Sequence, residues 1–294
     1  MERSLIGILG ASGKVGQLVC DYLVRNTGYI VKAGYRKTIP FLFNGRLRWQ
    51  FVDIQDKQKL FEFCRDCKII INCIGSSRNI NLNLAFMAHE VGAIYIDTYG
   101  TGKLKKELVN RDIVNSGCYI LGAGVYPGLT GIAMNYLVKK YPSIKKWKGM
   151  AGSYEPIGAG AAEDLLYSCL YGFGIENAYW KHGQIKVPKR KEIEEIYIPQ
   201  LQKTKNIALF LPDEILQIAK ENDLETIRWY NILPNKEHMA IMKKAYQKLL
   251  QRNDIATEIQ EFEEITRKST EHWNIISFNS DDAEVGQILV KLEI

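Results

Sequence analysis

Apolar residues in the first half of the chain fall in short runs at regular intervals, and most of the intervals carry a longer period. Residues 4–9 (SLIGIL), 29–35, 48–54, 68–75, 93–100 and 118–125 are runs of strand length. Between them, 57–64, 81–91 and 104–115 read as helices. So does the stretch after the first run, where Val15, Leu18, Val19, Tyr22 and Leu23 recur at helical spacing. Strands alternating with helices predict βαβ units, hence an α/β, doubly wound parallel sheet with helices on both faces.

After about Lys140 the pattern changes. Residues 145–191 mix strand and loop signals, 161–171, 213–221 and 236–252 read as helices, and 273–278 and 286–293 return to strand-like alternation. The expected organisation is a first domain over 1–141 and a second, α+β domain over 142–294 that serves substrate binding and dimerisation. Residues 113–138 carry no charge and have the length of a membrane span. Gly117, Gly122, Gly124, Pro127, Gly128 and Gly131 interrupt them, which predicts a buried strand, a tight loop and a helix start.

Composition narrows the classes. With 294 residues, 46% of them apolar and 24% charged, the chain is a folded globular protein. Its net charge of +6 is spread along the sequence, which mildly favours small anionic ligands and argues against nucleic acid. Six irregularly spaced cysteines and an N-terminus without a basic region and apolar stretch make a reducing cytoplasm the expected compartment. Cys64 and Cys67 form a C-x-x-C with no second pair at zinc spacing, so no metal site is expected and the pair is expected to pack under the sheet.

The main chemical signal is the glycine series Gly10, Gly13 and Gly16, set between the first strand and the first helix. Small residues there let the backbone turn sharply and approach a pyrophosphate, while the helix N-terminus offers free N–H groups and partial positive charge. Gly10, Ser12, Gly13, Lys14 and Val15 are the expected phosphate contacts. The second strand ends in Gly34-Tyr35-Arg36-Lys37, two cations where an NAD site would place an acid. Arg36 and Lys37 suit a 2′-phosphate, so NADP(H) is the expected cofactor. Asp53 and Ile54 close the third strand beside the expected adenine, and Cys73, Ile74 and Gly75 close the fourth beside the ribose and nicotinamide.

With these residues placed, the first half resembles the saccharopine dehydrogenase-like NADP-binding family. The resemblance rests on GILGASGKVG, on INCIGSSRNINLNLAFMAHEVGAIYIDTYG (71–100) and on ILGAGVYPGLTGIAMNYL (120–137), with Asn72, Gly75, Gly92, Tyr95, Asp97, Gly124, Pro127 and Gly128 at the family's positions. It implies a Rossmann domain with an inserted substrate domain, and reduction or oxidation of a C–N bond with a nicotinamide cofactor. Family members return from the second domain to add a C-terminal helix to the first, whereas this sequence stops at Ile294 on a strand-like ILVKLEI, so the expectation is either that the closing segment is missing or that the reading frame is truncated.

Hydride transfer leaves one proton for the protein to handle. Tyr95, Asp97, Tyr99 and Tyr126 are candidates, and Tyr99 is preferred because strand alternation puts Tyr95, Asp97 and Tyr99 on one face with Tyr99 nearest the cleft. In the second domain, Glu155 precedes a glycine-rich turn, and Glu163 and Asp164 are expected in a first helical turn, where acids complement the helix dipole. Glu163 is also a candidate substrate contact. His182 reads as a surface residue of a basic loop, and Lys186, Lys189, Arg190 and Lys191 as a solvated face or a docking patch for an acyl-carrier protein. The expected activity is reduction of an imine, or oxidation of a C–N bond, in a small amino-acid-like substrate. The alternatives are a non-catalytic NADP sensor and a trans-acting enoyl reductase of a polyketide or peptide pathway; a homodimer through the second domain is expected, without a membrane partner.

Overall fold

The computed structural model describes residues 5–40, 45–75, 81–99, 103–171, 173–199, 201–270, 272–280 and 287–291. Residues 76–80 and Gly100 of the motif quoted above, and 286 and 292–294 of the last expected strand, lie outside them. The chain forms two compact units, 1–124 and 125–294.

In the first unit, six described strands form one parallel sheet. They are β1 (Leu5–Leu9), β2 (Ile30–Tyr35), β3 (Leu47–Phe51), β4 (Ile69–Asn72), β5 (Ile94–Asp97) and β6 (Tyr119–Leu121), in the spatial order β3-β2-β1-β4-β5-β6. The helices are α1 (Lys14–Asn26), α2 (Lys57–Cys64), α3 (Asn81–Glu90) and α4 (Lys103–Asn110). Alternation along the strands sends Ile6, Ile8, Val31 and Ala33 to one face, against Cys20 and Val24 of α1. The opposite face sends Leu9, Ile70 and Tyr95 against Phe63, Leu84, Leu104 and Leu108 of α2, α3 and α4. Burying both faces is what near-continuous apolar strands require.

Helix α1 is where the sequence says, but it is turned about its axis. Val15, Leu18 and Tyr22 are 52%, 62% and 65% exposed, and the inward residues are Gly16, Cys20 and Val24. The helix starts so close to the glycine loop that only small side chains fit beneath its first two turns. Val19 and Leu23 pack against the edge of that core, while Val15, Leu18 and Tyr22 are left on the outer face. Cys64 and Cys67 are buried as expected, and burial pushes their thiols up to about 12 and about 11.

The second unit is α+β. Helix α5 (Leu129–Lys140) leads into β7 (Lys146–Tyr154), α6 (Ala159–Tyr171), β8 (Gly174–Glu176), β9 (Tyr179–Lys181), β10 (Gln184–Lys186), β11 (Ile193–Ile198) and β12 (Lys203–Pro212). Then come α7 (Asp213–Glu221), β13 (Thr226–Ile232), α8 (Lys236–Leu250), α9 (Ala256–Lys268), β14 (Trp273–Ser280) and β15 (Gln287–Lys291). The described strands make one mixed sheet in which β13 runs parallel to β7 and antiparallel to β9 and β12. Met134, Leu137 and Val138 of α5 enter its core beside Trp147, Ile215 and Trp229, so α5 packs in the second unit. Among the described residues no helix is long and apolar enough to cross a membrane, and the uncharged stretch 113–138 divides between β6 and α5.

A buried histidine gives this unit a pH dependence. His238, 1% exposed, sits in the first turn of α8 under Asn235, whose Oδ1 accepts from the His238 backbone N–H at 3.1 Å. Its ring lies edge-on to Tyr154 and Phe262, and Glu237 is the nearby charge. Burial lowers its pKa below the ordinary 6.5, outweighing Glu237. A depressed histidine pKa means that the unfolded chain takes up a proton first as pH falls, so stability is full above the unfolded pKa and declines below it. The melting midpoint is therefore expected to fall as pH drops below about 6.5, and the His238→Gln variant should show a shallower fall. Equal pH slopes for the two proteins would count against this account.

Candidate functional site

Each candidate cofactor residue of the first unit follows the carboxyl end of a sheet strand. The register places Ile8 beside Ala33, Leu9 beside Asn72, Asn72 beside Asp97 and Tyr35 beside Phe51. The segments after β3, β2, β1, β4 and β5 therefore lie in that order along one sheet edge: Asp53 and Ile54, Arg36 and Lys37, Gly10 to Val15, Cys73 to Gly75, then Tyr99. The strand order reverses between β1 and β4, and open α/β sheets bind ligands at the carboxyl ends of the strands where that happens.

The glycine loop has the backbone such a site requires. Gly10 has φ +77°, and a Cβ there would stand 2.9 Å from the carbonyl carbon and oxygen of Cys73 and from the Ile74 nitrogen. A Cβ at Gly16 would stand 2.2 Å from the Gly10 oxygen, so α1 begins against the loop. Gly13 is the N-cap of α1, no side chain caps its first turn, and no acid lies there. Gly13 N–H donates to the Gly10 oxygen at 3.0 Å, Ala11 N–H to the Gly34 oxygen at 3.1 Å, and Gln17 Nε2 to the Ser12 oxygen at 2.8 Å. The loop is pinned at its flanks, while Gly13, Lys14 and Val15 are exposed. An uncapped helix start beside a glycine turn fits a pyrophosphate.

Arg36 and Lys37 are exposed, and among the described residues no carboxylate pairs with either. Asp53 is partly committed, since its Oδ1 accepts the Gln55 N–H at 3.1 Å in the turn that leads to α2. Ile54 packs against the core under α2. Cys73 is half-buried, and burial, with Cys20 and Asp97 nearby, pushes its thiol up to about 12, so it serves by its backbone and bulk rather than as a thiolate.

At the end of β5 the structure separates the tyrosines. Tyr95 and Asp97 are both fully buried: Tyr95 Oη donates to Asp97 Oδ2 at 2.7 Å, and Asn72 Nδ2 donates to the same oxygen at 3.1 Å. Burial and the neighbouring Asp97 charge push the Tyr95 phenol well above 10. These two are therefore interior residues and cannot meet a substrate. Tyr99, two residues beyond the strand, is half-buried, with its backbone N–H donated to Asp97 Oδ1 at 2.9 Å.

The other two catalytic candidates belong to the second unit, and the structure revises both. Tyr126 Oη donates to Asn231 Oδ1 at 2.6 Å and accepts from Trp229 Nε1 at 3.1 Å, and its ring packs edge-on to Phe173. Enclosure pushes its phenol well above 10, so it is a core tie rather than a proton donor. Glu163 was expected in a first helical turn, but α6 begins at Ala159 and has no acid in that turn. The helix starts earlier because the small residues 159–162 extend it backward, so Glu163 makes no dipole contact there. The N-terminus of α5 is instead satisfied from α7: Glu214 Oε2 accepts the Gly128 N–H at 2.9 Å, Oε1 accepts from Thr130 Oγ1, and burial raises the Glu214 pKa. Glu155 is half-buried just past β7. His182 sits at φ +46° in the β9–β10 turn, 3.8 Å from Glu225, as an exposed residue. Lys191 pairs with Glu176 at 2.5 Å, and Lys186 donates to Gln184. Among the described residues no cluster of ligating side chains forms a metal site.

Asn72, which the family pattern marks, closes β4 with its Oδ1 accepting the Ile74 N–H at 3.1 Å, a bond that no spacing in the sequence specifies. The comparisons with known proteins agree with the first unit's geometry. Residues 6–111 match the family described as saccharopine dehydrogenase NADP binding domain. That similarity lies within the first unit and stops short of the second. Among solved structures, apo saccharopine dehydrogenase (L-Glu forming) from Saccharomyces cerevisiae is similar at 12% identity, over 99% of this chain and 86% of that one, with a TM-score of 0.60. That likeness is one of fold. The PbgP3 protein from Burkholderia pseudomallei (14% identity, 41% of this chain and 57% of that one, TM-score 0.33) is also similar. So is a wide-type short-chain dehydrogenase/reductase from Veillonella parvula in complex with NADP (18% identity, 32% and 46%, TM-score 0.30). No curated protein matches the sequence.

For a 2′-phosphate held at Arg36 and Lys37, Arg36→Ala is expected to weaken NADPH binding by about 10- to 100-fold, the equivalent of the roughly 1.5–3 kcal/mol that a hydrogen bond to a charged group contributes. NADH affinity should be nearly unchanged. Calorimetric titration with each dinucleotide checks this, and equal losses for both would remove Arg36 from the 2′-phosphate.

Proposed function

We propose that the chain is an NADP(H)-dependent oxidoreductase that reduces an imine, or oxidises the corresponding C–N bond, in a small amino-acid-like substrate. The supporting observation is the Gly10–Gly16 turn against Cys73 and Ile74, with an uncapped helix start on one side and Arg36 and Lys37 on the other. The choice of C–N chemistry is an analogy with the fold of a glutamate-forming saccharopine dehydrogenase. Bound NADPH supplies a hydride. The chain's own part is to hold both phosphate groups, to keep the β4 and β5 ends fixed, and to place the Tyr99 hydroxyl where it delivers the accompanying proton. The test follows NADPH absorbance with panels of 2-oxo acids plus amines, of preformed imines and of enoyl thioesters. Oxidation of NADPH with the first two panels supports the proposal. Turnover only with enoyl thioesters moves the reaction to a C=C bond, and tight NADPH binding without turnover in any panel replaces an enzyme by a sensor.

A further inference from the structure

The most enclosed polar cluster of the first unit consists of two side chains at the ends of β4 and β5. Asn72 is 1% exposed and Asp97 0%. Asn72 Oδ1 accepts the Ile74 N–H at 3.1 Å, and its Nδ2 donates to Asp97 Oδ2 at 3.1 Å. Asp97 Oδ2 also accepts from Tyr95, while Oδ1 accepts the Tyr99 N–H at 2.9 Å. Thr98 Oγ1 donates to the Asn72 carbonyl at 3.3 Å. One buried pair thus sets two backbone amides on neighbouring strand ends. One of them, Ile74 N, is the atom against which Gly10 is packed.

The β1–α1–β2 half of such a sheet takes the adenosine end of a dinucleotide, so the far side of the strand-order reversal, β4 and β5, takes the nicotinamide end. Burying a carboxylate is costly unless its oxygens are satisfied. Here those bonds go to Tyr95, Asn72 and Tyr99, spread over both strand ends. We infer that Asn72 and Asp97 are positioning residues for the nicotinamide half of the NADP site, locking the Ile74 and Tyr99 backbones into one rigid unit that couples the glycine loop to Tyr99. The inference rests on the NADP-binding reading of this domain and adds residues that touch neither phosphate nor substrate.

The hydrogen-bond inventory makes a specific test possible. Asp97→Asn can keep Oδ1 on the Tyr99 amide, but its new N–H groups then face the Asn72 amide and the Tyr95 hydroxyl. If Asn72 flips to accept, it turns its NH₂ toward the Ile74 N–H, and the conflict moves to the cofactor side. The exchange Asn72→Asp with Asp97→Asn removes it. Asp at 72 accepts from Ile74 and from Asn at 97, which still accepts from Tyr99 and has an N–H left for the Tyr95 oxygen.

The experiment measures NADPH and 2′,5′-ADP binding to the full chain, the latter carrying only the adenosine half. Asp97→Asn is expected to weaken NADPH at least about tenfold, with 2′,5′-ADP held within about threefold, and the double exchange should recover most of the NADPH affinity. The blue shift and enhancement of NADPH fluorescence should be lost in the single variant and return in the double one. Wild-type-like NADPH binding by Asp97→Asn overturns the inference, as does an equal loss of both ligands. Binding of neither ligand by the wild type overturns the cofactor reading, and this one with it. If Asp97→Asn does not fold, amide exchange in the wild type by NMR decides: NADPH, but not 2′,5′-ADP, should slow the Ile74 and Tyr99 amides together, and slowing of one alone contradicts the coupling.

Discussion

Gly10→Ala is expected to lower NADPH affinity by at least about a hundredfold. Two costs coincide at this position. Gly10 has φ +77°, a conformation that costs an L-residue roughly 1–2 kcal/mol. The added Cβ would also stand 2.9 Å from three backbone atoms of Cys73 and Ile74, which cannot rotate away as a side chain would. Overpacking of this kind costs about 1–3 kcal/mol when the structure shifts to relieve it. The shift available is to push the loop off the end of β4, and that moves the same N–H groups that would hold the pyrophosphate. Calorimetry with NADPH, alongside a thermal melt, measures both consequences. Gly28→Ala is the control, because a Cβ there meets nothing within 4 Å. Affinity for NADPH within about threefold of wild type in Gly10→Ala would show that the loop does not carry the phosphates.

Tyr99→Phe should leave NADPH binding nearly intact and lower the turnover found in the substrate screen by about 10²- to 10⁴-fold, the range for losing a positioned proton donor. The argument depends on position. Tyr99 has its backbone fixed by Asp97 just beyond β5, and it is half-buried, whereas Tyr95 and the Tyr126 hydroxyl are enclosed with their bonds made inside the fold. A proton donor must reach the substrate, and Tyr99 follows the carboxyl end of β5, on the sheet edge along which the candidate cofactor segments are ordered. The loss should fall on kcat, since removing a hydroxyl that acts only in the transition state does not weaken ground-state binding. Unchanged turnover in Tyr99→Phe would transfer the proton step to another group. Turnover that fell in parallel with NADPH affinity would make Tyr99 a binding residue.

Much of the first unit was readable along the chain because its signals are local. Six apolar runs of strand length, separated by helical stretches, specify a parallel α/β sheet, since strands buried on both faces must be nearly continuous in apolar residues. The glycine spacing and the Arg36-Lys37 pair are likewise local, because a tight turn and a strand end each involve a few consecutive residues. The second unit was less legible. The β11–β12 pair was hidden in a charged stretch, where Glu192 and Glu194 pair with Arg228 and Lys148 across the sheet. The strand β13 and the helix α9 were also not anticipated, because their partners lie far away in sequence.

What the sequence determined by itself was therefore the class of fold, the place of the glycine loop and the pair of cations at the end of the second strand. Tertiary structure alone decided which chemically capable side chains stay available. Tyr95, Tyr99 and Tyr126 are the same residue type, and nothing along the chain separates a phenol bonded inside the fold, as Tyr95 is to Asp97, from a tyrosine just beyond a strand end. The same holds for α1, where Val19 and Leu23 of the apolar pattern pack against the core while Val15, Leu18 and Tyr22 face outward. Close approach to the glycine loop selects Gly16 and Cys20 for the inside, and Leu18 and Tyr22 are left outside. Burial and partner identity are properties of neighbours brought together by folding, so a pattern read one residue at a time carries the period of an element but not the side from which it will be covered.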